Sequence, residues 1–198
     1  MILRDALTAM LATCDDGLAG VRDRALLLFA FASGGRRRSE IAAARLEDLR
    51  QLEHEGEVVY LFGMAGAKRQ EPGQVRHKPL RGSAAAALRA WLRVLEARGL
   101  ARGPLFRAVK GATWIGQGRL SGHAVNAIVK RRAELAGLPG NLTAHGLRGG
   151  FLTQAYRDGV DLFDAMALSD HRDVKTVREH YLEDFEALRN PAGLLLDR

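Results

Sequence analysis

Residues 143–151 read Thr143-Ala144-His145-Gly146-Leu147-Arg148-Gly149-Gly150-Phe151. The pattern predicts a helix over residues 143–158 with Thr143 as its N-cap. His145 and Arg148 stand three apart, so they share one helical face in the first turns. Unbonded N–H groups and the helix dipole add positive potential at the same end. A histidine and an arginine so placed form a corner suited to a phosphate group. Taken alone, the pair reads equally well as a partly buried histidine beside a surface arginine.

Working outward, the densest basic cluster is Arg36-Arg37-Arg38, between Gly34-Gly35 and Ser39-Glu40. A largely buried helix over residues 21–33, centred on Leu26 to Phe31, stops at the glycine pair. Ser39 is a cap candidate for the next helix, whose Ile41, Ala42 and Leu46 face inward. Only one or two of three consecutive arginines can enter a cleft. Arg37 is the middle one, and Glu40 can brace its guanidinium for bidentate phosphate contact. A solvated basic loop is the alternative. On the C-terminal side lie Asp170-His171-Arg172-Asp173 and His180-Tyr181, on a helix over residues 173–181. In isolation the tyrosine reads as a packing residue.

Between the first two clusters the period changes. Val58 to Phe62 is β-branched and aromatic, Val75 to Leu80 is a second extended run, and Gly63 to Gly73 joins them. This predicts an antiparallel hairpin with a long loop holding Lys68, itself an ordinary solvated lysine by local context. Residues 49–54 would add a preceding strand. Helices are expected over residues 2–13, 83–98 (capped by Ser83), 121–136 (from Ser121) and 161–168 (from Asp161), with no strand after Leu80. The fold class is mainly α with a small antiparallel β-sheet (α+β), in one domain spanning residues 1–198.

The order of these features resembles the tyrosine recombinases, or phage integrases, over nearly the whole chain. Gly35-Arg36-Arg37-Arg38-Ser39-Glu40-Ile41 resembles the family's first arginine box, whose catalytic arginine, two before Ser-Glu, falls on Arg37. Val59 to Leu80 is similar to its β-hairpin, with the mobile lysine at Lys68. His145-Gly146-Leu147-Arg148 is similar to its His-x-Leu-Arg box, followed by a helix and Gly159-Val160. His171 matches a position that holds His or Trp. One spacing departs from the family: the nucleophilic tyrosine usually stands nine residues after that histidine, where this chain has His180, with Tyr181 at ten. Either the helix shifts by one residue and Tyr181 attacks, or the nucleophile is lost and Tyr181 is only a neighbour.

The resemblance implies the tyrosine-recombinase catalytic-domain fold and site-specific cleavage and rejoining of double-stranded DNA through a 3′-phosphotyrosyl intermediate. It implies a chain that starts where the family's catalytic domain starts, without the N-terminal DNA-clasping domain. It also implies self-association on DNA as a tetrameric synapse, with the apolar tail, residues 184–198, docking on a neighbouring protomer or covering its own core. A phosphodiester repels nucleophiles through its anionic oxygens, and Arg37, Arg148 and His171 would neutralise the charge that builds in the transition state. A phenol with a pKa of about 10 needs a base, for which His145 is the candidate. The resemblance gives Lys68 the protonation of the departing 5′ oxygen.

Composition is consistent with this reading. The 198 residues carry 30 Lys and Arg against 23 Asp and Glu, a net charge of +7, which favours an anionic partner. The longest apolar run, Ala25 to Ala32, is far short of the about twenty residues of a membrane span, which predicts a soluble chain with no membrane partner. A single cysteine, Cys14, excludes an internal disulfide framework and fits the reducing cytoplasm. No HExxH, P-loop or GxGxxG occurs, so no metal, nucleotide or redox cofactor is expected. Two other readings stay open. One is a catalytically inactive DNA-binding relative; the other is a generic basic helical regulator, which scattered cationic residues would favour.

Overall fold

A computed structural model describes residues 1–63 and 77–179. Lys68, Val75, Arg76, His180, Tyr181 and the tail at residues 184–198 lie outside the described residues. Helix α1 (Arg4–Ala12) turns Leu7 and Met10 inward. Helix α2 (Leu18–Ala32) is apolar on most of its circumference, and the fold buries it as the central helix. Its Phe29 has no exposed surface and meets Phe62 and Phe106 edge-on, with ring centroids 4.7 and 5.3 Å away.

Helix α3 (Arg38–Ala43) follows the glycine turn, with Arg37 rather than Ser39 at the N-cap. A single 3-10 turn (Leu46–Asp48) leads into strands β1 (Leu49–His54), β2 (Glu57–Phe62) and β3 (Lys78–Leu80), an antiparallel sheet in the order β1-β2-β3. The two-residue turn Glu55-Gly56 has positive φ at both positions, the geometry that matches strand twist in a tight hairpin. Register places Lys78 opposite Phe62 and Leu80 opposite Tyr60. Helix α4 (Gly82–Glu96) buries Leu88, Trp91 and Leu95 on one stripe. Its N-cap is Arg81, so Ser83 lies inside the first turn and is not the cap.

The expectation of no strand after Leu80 fails. Strands β4 (Arg107–Lys110) and β5 (Trp114–Arg119) form a second antiparallel pair with a register shift between Arg107 and Val109. The run is short, irregular and interrupted by Gly116 and Gly118, so it carries no clean alternation. It is organised by the buried Arg107, which donates to the carbonyls of Arg102 (2.7 Å), Pro104 (3.0 Å) and Gln117 (2.5 Å).

Helices α5 (Gly122–Leu135), α6 (Ala144–Arg157), α7 (Leu162–Ser169) and α8 (Val174–Val177) complete the described chain. Ser121 caps α5, accepting from the Ala124 N–H at 3.1 Å, and Asp161 caps α7. Helix α6 has two packed faces. Ala144 and Leu147 join the main core, while Leu152 and Ala155 join Ala165, Met166 and Val177 in a smaller cluster. α6 therefore sits between the body of the domain and the C-terminal helices.

Candidate phosphate-binding site

The site begins at the glycine pair. Gly34 (φ 93°) and Gly35 (φ 69°) are both left-handed, and their backbones lie against two other elements. A Cβ on Gly35 would stand 2.4 Å from Arg148 Cα in α6, and one on Gly34 would stand 2.2 Å from the Leu168 carbonyl oxygen in α7. Only glycine fits both the dihedral and the space. The turn thus presses the arginine loop against the His-x-x-Arg helix and the end of α7.

The three arginines separate. Arg37 and Arg38 are exposed and line a cleft of about 400 Å³ with Ser39, Asn126, Thr143, His145 and Arg148. Arg36 turns inward and is 4% exposed. Glu40 holds Arg37 twice, accepting from its Nη1 and its backbone N–H, both at 2.9 Å. Arg148 is 3% exposed and donates from Nη1 to the Gly35 carbonyl at 2.9 Å. Thr143 stands at the N-cap of α6, but the capping bond comes from Asn126, whose Oδ1 accepts from the Ala144 N–H at 3.0 Å.

His171 closes the group. Its Nε2 and Nδ1 lie 3.1 and 3.2 Å from Arg148 Nη2, and its Nδ1 lies 2.8 Å from Ser169 Oγ. The Ser169 hydroxyl has the Ala165 carbonyl 2.8 Å away as an acceptor, and when it donates there it can accept from His171 Nδ1. In that orientation of Ser169 the ring carries its proton on Nδ1 and turns the Nε2 lone pair toward Arg148. Burial is the main reason the ring resists protonation, and the charges of Arg148, Arg37 and Arg36 add to it. Against the opposing pull of Asp170, the pKa falls to about 4. The imidazole is neutral at pH 7.

Arg37, His145 and Arg148 therefore meet at one cleft, and His171 touches Arg148 at its edge. The scattering that a generic basic regulator requires is not observed. Lys68 and Tyr181 lie outside the described residues. Among the described residues, no three His, Cys, Asp or Glu side chains gather in a way that could hold a metal ion. Sequence reasoning missed Asn126, Ser169, Asp170, Arg36 and Lys78. The only local signal was Asp170 itself, a charged residue directly before His171 at the end of a helix.

Comparison with known proteins agrees with this arrangement. The family model described as "Phage integrase family" matches residues 1–187. An integrase/recombinase xerD homolog from Selenomonas ruminantium is 31% identical over 179 residues, 90% of this chain and 52% of that protein. Tyrosine recombinase XerC from Xanthomonas campestris pv. campestris is 32% identical over 173 residues, 87% of this chain and 48% of that one. This chain thus spans about half the length of these relatives. Among solved structures, XerH site-specific recombinase bound to palindromic difH substrate has a TM-score of 0.68 at 20% identity, covering 98% of this chain and 52% of that chain. XerA recombinase has a TM-score of 0.66 at 17% identity, covering 96% of this chain and 61% of its own. With the family match running across the arginine loop, the His-x-x-Arg helix and His171 alike, the chain belongs to the phage integrase family.

Proposed function

We propose that this chain is the catalytic domain of a site-specific DNA recombinase. The observation that carries the reading is the convergence of Arg37, His145 and Arg148 on one cleft, with His171 against Arg148. The scissile phosphate sits between the two guanidinium groups, which neutralise its non-bridging oxygens as charge builds. Glu40 presets Arg37, and the Gly35 carbonyl presets Arg148, so little reorganisation is needed at the moment of reaction. His171 joins them only once Nε2 gains a proton, which the negative charge of a bound phosphate favours. His145 takes the proton of the attacking phenol. The Tyr181 oxygen forms a bond to phosphorus, the bond from phosphorus to the 5′ oxygen breaks, and Lys68 protonates that oxygen. The product is a 3′-phosphotyrosyl link and a free 5′ hydroxyl, and a 5′ hydroxyl from another strand reverses the step.

The backbone supports Tyr181 as nucleophile despite its spacing. One residue along an α-helix is about 100° of rotation. After α8 the chain winds as a π-helix at Arg178 and Glu179. A π-turn accommodates one extra residue without ending the helix. A π-turn at this point is the kind of irregularity that the difference between ten residues and nine calls for. His180 at the ninth position keeps a second reading alive, a DNA-binding relative that has lost cleavage. On the first reading the protein acts in the cytoplasm on double-stranded DNA, where this catalytic domain self-associates, with residues 184–198 docking on a neighbouring protomer.

The test is a pool of nicked suicide duplexes with randomised cores, resolved on denaturing gels. A covalent protein–DNA adduct that forms with the wild-type chain and vanishes in Tyr181→Phe is the expected result. An adduct that survives Tyr181→Phe removes the nucleophile assignment. DNA binding without adduct across the whole pool favours the cleavage-silent relative.

A further inference from the structure

Asp170 ends α7 in the left-handed region (φ 56°, ψ 35°), directly before His171. Glycine adopts this conformation at little cost, whereas a residue with a side chain needs a reason to be held there. The reason is visible in the carboxylate. Oδ2 accepts from Arg36 Nη1 at 2.6 Å, and Oδ1 accepts from Lys78 Nζ at 2.7 Å. Both cations are 4% exposed. Each also takes a carbonyl at the end of α7: Arg36 Nη2 donates to Leu168 (2.7 Å), and Lys78 Nζ donates to Ala167 (2.6 Å). Two buried cations thus grip both the carboxylate and the terminal carbonyls of one helix, where its dipole favours positive charge.

We propose that Asp170 is a positioning residue for His171: its carboxylate, clamped by Arg36 and Lys78, fixes the left-handed turn that aims the imidazole at Arg148. Three distant parts of the chain meet at this one carboxylate. Arg36 adjoins Arg37 in the cleft loop, Lys78 lies on β3, the return strand after the loop that holds Lys68, and Asp170 adjoins His171. The clamp registers these three segments against one another. Stability alone does not account for it, because buried ion pairs seldom outperform apolar residues of equal volume. What charges supply in addition is direction, since each hydrogen bond fixes an angle as well as a distance. Burial alone would raise the Asp170 carboxyl, but hydrogen bonds from Lys78 and Arg36 outweigh it and hold the group below its usual range, so the clamp is charged at neutral pH.

The proposal deepens the strand-cleaving reading of the same cleft and rests on it. The decisive variants are Asp170→Asn, which keeps size and tolerance of the left-handed turn, and Lys78→Met with Lys78→Arg as its conservative counterpart. The readouts are the imidazole 1H–15N correlations of His171, single-turnover adduct formation on the nicked duplex pool, duplex affinity and thermal melting. Expected in folded Asp170→Asn are displaced His171 ring signals and adduct formation slowed about ten- to a hundredfold, with duplex affinity kept within about twofold. Lys78→Met should do the same to a smaller degree, and Lys78→Arg should restore both. Unchanged ring signals and rates in the folded variants overturn the proposal. So does loss of folding in both Asp170→Asn and Lys78→Met, which would make the clamp a stability element. A wild-type chain that never forms adduct refutes the strand-cleaving reading instead, and the ring signals still decide the positioning claim.

Discussion

His171 behaves as a base that the fold keeps unprotonated. Ser169 Oγ lies against Nδ1 and Arg148 Nη2 lies within 3.2 Å of both ring nitrogens, so the ring is held from two sides. Its pKa of about 4, set first by burial and then by the neighbouring arginines, lies below the about 6.5 of an unfolded histidine. Between those two values the unfolded chain binds a proton that the folded chain refuses. Stability from this residue is therefore complete above about pH 6.5 and declines as pH falls toward 4. Asp170 acts lower still: its depressed carboxyl favours the fold above about pH 3.9, a contribution lost as pH falls through the folded value. Melting curves from pH 7 to pH 4 should show a fall that His171→Gln flattens above about pH 4.5. An equal pH dependence in His171→Gln would show that the ring is not held neutral. Inorganic vanadate in the cleft adds negative charge beside the ring, and the His171 titration should move upward in its presence.

At the scale of elements, the glycine turn is the joint that brings the site together. Gly35→Ala must strain a left-handed φ and also place a Cβ 2.4 Å from the backbone of α6. Gly56→Ala meets the same kind of dihedral (φ 76°) in the β1–β2 turn, but nothing lies within 4 Å of its Cβ. Urea titration should show a loss of about 1–2 kcal/mol for Gly56→Ala and about 2–5 kcal/mol for Gly35→Ala. Equal losses would mean that the contact with α6 relaxes freely. This contrast also marks what the sequence could tell. The glycine pair, the three arginines and the His-x-x-Arg spacing are local patterns, and helical periodicity located the helices to within a few residues. The fate of Arg36 was not local. It has the same neighbours as Arg37, and only Asp170, far along the chain, separates a buried clamp from an exposed cleft residue. Lys78 was invisible for the same reason, since a lysine at a strand edge is normally solvated. The β4–β5 hairpin escaped because it is organised by Arg107 donating to carbonyls rather than by an apolar alternation.

For the whole molecule, net charge overstates the surface available to an anionic partner. Arg22, Arg36, Lys78, Arg107 and Arg132 are all buried and spend their hydrogen bonds on internal carboxylates or carbonyls. The cations at the cleft are fewer: Arg37 at the N-cap of α3, Arg38 in its first turn, and Arg148 on α6, itself 3% exposed. With Arg37 and Arg148 sharing the scissile phosphate and Arg38 meeting a second, counterion release gives a slope of about −1.8 in log affinity against log salt, since each neutralised phosphate contributes about −0.9. A fourfold rise in salt, from about 50 to about 200 mM, should then weaken duplex binding by at least about twelvefold. Other surface cations can only steepen that dependence. Arg38 is the informative substitution, because it lines the cleft and is exposed, whereas Arg37 and Arg148 are tied to Glu40 and Gly35. Arg38→Ala should weaken binding to all duplexes alike and make the slope shallower by about 0.9, because a phosphate contact carries no base preference. Fluorescence anisotropy across a salt series measures both quantities. A wild-type slope shallower than about −0.9, or an Arg38→Ala slope equal to wild type, would place the phosphate backbone away from this cleft, and the convergence of Arg37, His145 and Arg148 would then need another anionic ligand to explain it.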